Sequence, residues 1–115
     1  MKKSKAYLCK ANEIETIYET KILKENQNYA LLTESYLQIK KDLEERKAAL
    51  ILSKKSYFPN RKEEYRSLKL ALDREIKYSK ESLKVLKITY NNKCNELLVE
   101  KKRALRNLEL KSWTT

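Results

Sequence analysis

Apolar residues recur through the first half of the chain at positions 7, 11, 14, 18, 22, 29, 32, 36, 39, 43, 50 and 57. Adding Glu25, Arg46 and Ser53 completes a seam of fifteen positions, spaced by alternating steps of four and three with one four-four step from 18 to 22. The second half repeats the pattern at 65, 68, 72, 76, 83, 86, 90, 94, 97, 104 and 108, with Ser79, Lys101 and Lys111 as its polar members. A 3.5-type repeat sustained over seven turns or more is the signature of helices that pack along one stripe. The spacing predicts an all-α fold: one helix over about 4–56, a second over about 60–112, and a turn near residues 56–60. The turn rests on Pro59, which lacks an amide donor and pushes Phe58 away from helical angles. Asn60 is the expected N-cap of the second helix with Glu63 in the capping-box place, and Ser4 the expected cap of the first.

Two long helices joined by so short a turn fold back as an antiparallel coiled-coil hairpin, a single domain over residues 1–115. Pairing is expected near i with 117 − i. Cys94 then lies opposite about position 23, roughly 21 Å along the helix from Cys9 at 1.5 Å per residue. That separation excludes an intrachain disulfide. Both cysteines read as small packing residues, and there is no CxxC metal or redox motif. Tyr7, Tyr18 and Tyr29 are spaced by eleven. That repeat corresponds to 3.67 residues per turn and straightens the first helix.

The seam does not absorb all the apolar residues. Leu8, Ile17, Leu23, Leu31, Leu37, Ile51, Leu70, Val85, Ile88, Leu98, Val99, Leu110 and Trp113 lie off it. They widen the apolar face beyond what one partner helix covers. Two readings follow: a homodimer of hairpins forming a four-helix bundle, or docking onto other proteins.

Composition narrows the function. The 115 residues include no Gly, no His and one Pro, where average usage would give roughly eight Gly and about six Pro. Without Gly there is no phosphate-cradling loop or nucleophile elbow, and without His no imidazole base or His-ligated metal. The pairs Glu44-Glu45 and Glu63-Glu64 have no concave site to raise a carboxyl pKa and read as solvated ion-pair partners. The chain is therefore expected to be non-enzymatic and to need no cofactor. The longest apolar run, Ala48–Leu52, is five residues, against about 20 for a membrane span. No membrane insertion and a cytoplasmic location are the expectation.

Net charge is +11, and it is unevenly placed. Lys2, Lys3, Lys5 and Lys10 give +4 over residues 2–10; Lys101, Lys102, Arg103, Arg106 and Lys111 against Glu109 give +4 over 101–111. A hairpin gathers both at its open end, where they form an anchor for an acidic partner. Nucleic acid would satisfy the charge, but no recognisable nucleic-acid module is present, which makes it the weaker partner.

Taken together, the basic hairpin with its termini at one charged end resembles the central-stalk proteins of type III secretion and flagellar export, the FliJ/YscO/EscO-like family. The stretches NRKEEYRSLKLALDREI and NELLVEKKRALRNLELKSW carry the likeness. The resemblance implies a stalk whose paired helix ends seat in the pore of a hexameric secretion ATPase and promote its assembly and activity. It also implies contacts with an export gate protein or substrate chaperones. The implied ATPase-binding residues are Lys2, Lys3, Lys5, Lys10, Lys101, Lys102, Arg103 and Arg106, with Trp113 as an apolar anchor. A basic nucleic-acid-binding or self-assembling coiled coil is the rival reading.

Overall fold

The computed structural model describes residues 5–114. They form two helices, α1 (Lys5–Tyr57) and α2 (Lys62–Thr114), paired as an antiparallel hairpin. Ser4, the expected cap of α1, lies outside the described residues.

The turn is tighter than the sequence suggests. Phe58 N–H still donates to Lys54 O (3.2 Å), so α1 keeps its hydrogen-bond ladder to the last residue before Pro59. Arg61 N–H then donates to Phe58 O (3.3 Å), closing a β-turn with Pro59 and Asn60 at its centre. The first α2 bond runs from Tyr65 N–H to Arg61 O (3.1 Å), which makes Arg61 the N-cap and places Asn60 one residue outside. Asn60 is consumed by the turn, and no capping box forms around it. In its place, Arg61 pairs with Glu64 (3.7 Å) and Arg66 with Glu63 (3.6 Å), holding two carboxylates in the first turn, where the helix dipole favours them. Phe58 packs on Tyr65 with ring centroids 6.0 Å apart, and the Lys54 ammonium lies 5.1 Å from the Tyr65 ring. Tyr65 is 7% exposed as a result.

The chain divides into two compact units. One comprises Met1–Tyr29 with Ile88–Thr115, the other Ala30–Lys87. In the first, Tyr29 stacks on Tyr90 (centroids 4.2 Å, interplanar 15°), and the Tyr90 hydroxyl donates to Asn26 Oδ1. Leu97, 5% exposed, is the best buried apolar side chain there. In the second, Leu43 and Ile76 are buried and Lys47 reaches Asp73 across the pair at 2.5 Å. Facing positions such as 29 with 90, 47 with 73 and 54 with 65 place the register near i with 119 − i, two residues from the expected 117. Cys9 is exposed, Cys94 is half-buried, and both are free thiols.

The α2 seam follows the expected positions, except that Lys69 is half-covered in place of Leu68, Asp73, Ser82 and Leu105 are half-covered as well, and Lys111 is exposed. On α1 the covered positions are 7, 11, 14, 18, 22, 25, 29, 33, 36, 40, 43, 47, 50 and 53. After Tyr29 this departs from the expected set: Thr33, Lys40 and Lys47 face inward, while Leu32, Ile39 and Arg46 are exposed. The eleven-residue spacing of 7, 18 and 29 continues to 40 before the heptad step takes over.

Candidate functional site

All thirteen off-seam apolar residues are exposed, from Leu98 at 44% to Trp113 at 69%. Leu32, Ile39, Leu52, Leu68 and Tyr78 join them. Against these eighteen, the buried apolar core is Leu43, Tyr65, Ile76 and Leu97. The helices therefore hold one another through a narrow stripe and leave broad apolar flanks, a surface suited to further protein contact.

Lys2 and Lys3 lie outside the described residues. Lys5 and Lys10 are exposed on the first turns of α1. Lys102, Arg103 and Arg106 are exposed on α2, whereas Lys101 sits half-buried in the seam, where its aliphatic stem covers apolar surface. Arg103 borders a shallow depression with Asn92, Glu96 and Val99. Trp113 stands exposed in the last turn of α2.

The register sorts these cations into two bands. With i facing 119 − i, Lys101 to Arg106 lie across from residues 13–18, which include Glu13 and Glu15. Lys5 and Lys10 lie across from residues 109–114, beside Lys111 and Trp113. The expected single cluster is thus a terminal basic band followed by a mixed one. Adding charge over segments hid this, although the expected pairing near i with 117 − i already set residues 101–106 across from Glu13 and Glu15. None of Lys5, Lys10, Lys101, Lys102, Arg103 or Arg106 is in an ion pair among the described residues.

Helix electrostatics explain some of this charge and not the rest. Lys54 and Lys55 end α1, Glu63 and Glu64 begin α2, and Lys111 ends it, all in the favourable sense. The start of α1 is the exception. It has no acid in its first turn, and Lys5 stands where a cation opposes the dipole, typically at a cost of 0.3 to about 1 kcal/mol. The basic start of α1 is therefore not explained by helix stability.

Among the described residues no helix is long and apolar enough to cross a membrane, and no group of three or more metal-ligating side chains converges. The Tyr29–Tyr90 stack, with Asn26 and Cys94 around it, is the most elaborate polar cluster. Hydrogen bonding to Cys94 holds the Tyr90 phenol above its ordinary pKa of 10.0, with desolvation and the Cys94 and Tyr29 charges acting in the same direction. A phenol held in its neutral form supports packing and offers no base. Comparison with family models, with curated proteins and with solved structures finds no match, so the surface itself carries the functional reading.

Proposed function

We propose that the chain is a non-enzymatic central stalk of a type III protein secretion ATPase, working in the cytoplasm. Its basic helix ends seat in the acidic pore of the hexameric ring and promote ring assembly and turnover. The observation that supports this reading is the cationic start of α1, which opposes its own helix dipole beside the exposed Trp113 and Lys111. A surface kept at a cost to helix stability suits an acidic partner. The exposed apolar flanks suit an export gate protein or substrate chaperones. Hydrolysis belongs to the ring, and the stalk needs no cofactor.

The test is steady-state turnover of a purified hexameric secretion ATPase with and without the chain. Wild type raises turnover. A variant with Lys101→Glu, Lys102→Glu and Arg103→Glu loses that stimulation, as does one with Lys5→Glu and Lys10→Glu. Equal stimulation by wild type and both variants contradicts the proposal. So does salt-sensitive binding to a DNA duplex with no effect on the ATPase.

A further inference from the structure

Between Tyr29 and Leu50 the stripe of α1 can be drawn in two ways along one heptad repeat. Tyr36, Leu43 and Leu50 belong to both. The second contact of each heptad lies either three residues on, at Leu32, Ile39 and Arg46, or four residues on, at Thr33, Lys40 and Lys47. The structure turns the latter set toward α2. Leu32 is then 47% exposed and Ile39 49%. Lys40 and Lys47 are half-covered, and the Thr33 hydroxyl is buried without a hydrogen-bond partner. By the register near i with 119 − i, Thr33 lies level with Leu86 and Lys40 with Ser79. Polar side chains thus occupy the seam while two large aliphatic ones beside them face solvent.

We propose that residues 30–50 of α1 form a rotational switch with two seatings on α2. Turning this stretch about its own axis by about 50°, half of one residue's step at ~3.6 residues per turn, exchanges one set for the other. Tyr36, Leu43 and Leu50 keep contact with α2 throughout, so the axial register does not change. In the second seating Leu32 comes against Leu86 and Ile39 against Ser79, while Thr33, Lys40 and Lys47 reach water. Covering two aliphatic side chains and hydrating the Thr33 hydroxyl favour this seating. The pair of Lys47 with Asp73, 2.5 Å apart, favours the first. The third position is a cation in either set, so charge there does not choose between them. Opposed contributions of this kind give one element two packings.

The switch changes what the flank displays. The first seating shows Leu32 and Ile39, an apolar flank. The second shows a hydroxyl and two ammonium groups. A partner that takes up the apolar flank holds the first seating, and its departure shifts the population toward the second. The inference rests on residues 30–87 alone and is independent of any ATPase binding.

Thermal unfolding of wild type, Ile39→Ser, Thr33→Lys and the double variant, followed by far-UV circular dichroism, tests the switch. A lysine at position 33 drives that position out of the seam, so Thr33→Lys keeps its helix content and turns Ile39 inward. Ile39→Ser then lowers the Tm of wild type by less than about 3 °C, but that of Thr33→Lys by at least about 6 °C, because Ile39 is core only in the second seating. Equal falls in the two backgrounds overturn the proposal, as does a Thr33→Lys chain that loses its helices. Thiol alkylation reads the rotation itself. In a chain with Cys9→Ala and Cys94→Ala, the sole thiol of Ile39→Cys reacts as an exposed cysteine, and adding Thr33→Lys slows it at least about fivefold. An unchanged rate contradicts the second seating.

Discussion

Individual side chains contribute unequally to this fold. Leu97 and Leu43, at 5% and 7% exposure, are the deepest aliphatic anchors of their respective units. Truncating either to Ala is expected to cost about 2–3 kcal/mol, the low end for buried leucine because a narrow seam collapses readily onto the gap. Thermal unfolding followed by circular dichroism reads the loss, and a change below about 0.5 kcal/mol at both positions would contradict the assignment of the core. Thr33 is the converse case. Its Oγ1 is buried without a hydrogen-bond partner, so Thr33→Val keeps the shape, removes the unmet hydroxyl and is expected to raise stability by up to about 1 kcal/mol. Tyr90 couples stability to pH. Its raised folded pKa means that its contribution is complete below the unfolded value of 10.0 and is lost as pH rises through the folded value. Melting temperatures between about pH 9 and pH 12 should fall less steeply in Tyr90→Phe than in wild type. Parallel curves would show that the phenol does not sense the fold.

At the scale of the element, most of the helix pair is legible in the sequence because one break and one periodicity determine it. Pro59 marks the reversal, and the α2 seam follows from spacing except at Leu68 and Lys111, which are exposed. The α1 seam beyond Tyr29 is less legible. Leu32 and Thr33 are adjacent, and apolar character favours Leu32, yet Thr33 faces inward. The reason is geometric. An eleven-residue repeat advances the stripe by one position relative to heptads, and it persists to Lys40, where side-chain chemistry no longer announces it. The turn teaches a similar lesson. Asn60 has the right chemistry for a cap, but the β-turn through Pro59 uses that residue and passes the cap to Arg61. Asn60→Ala is accordingly expected to change stability by less than about 0.5 kcal/mol, below the ~1 kcal/mol that losing a true N-cap costs. A larger loss in thermal unfolding would restore Asn60 as the cap.

At the scale of the whole molecule, the candidate surface was legible as charge, and its arrangement only once charge is read level by level along the pair. The lysines and arginines were visible in sequence, and so were the apolar residues that the seam could not absorb. Axial level was legible too, within two residues, but charge summed over segments left it unused; the level sets Lys101 to Arg106 beside Glu13 and Glu15 and leaves Lys5 and Lys10 with Lys111 and Trp113. Both functional readings need α1 and α2 to run side by side in that register. Pulsed electron spin resonance tests this on a chain carrying Cys9→Ala and Cys94→Ala, with spin labels at Lys10→Cys and Glu109→Cys, diluted in unlabelled protein. Helices packed 8–10 Å apart predict a narrow distribution centred at about 10–25 Å, label arms included. A distance beyond about 40 Å, as splayed helices or one continuous rod rising 1.5 Å per residue would give, contradicts the hairpin register and the basic terminus built on it.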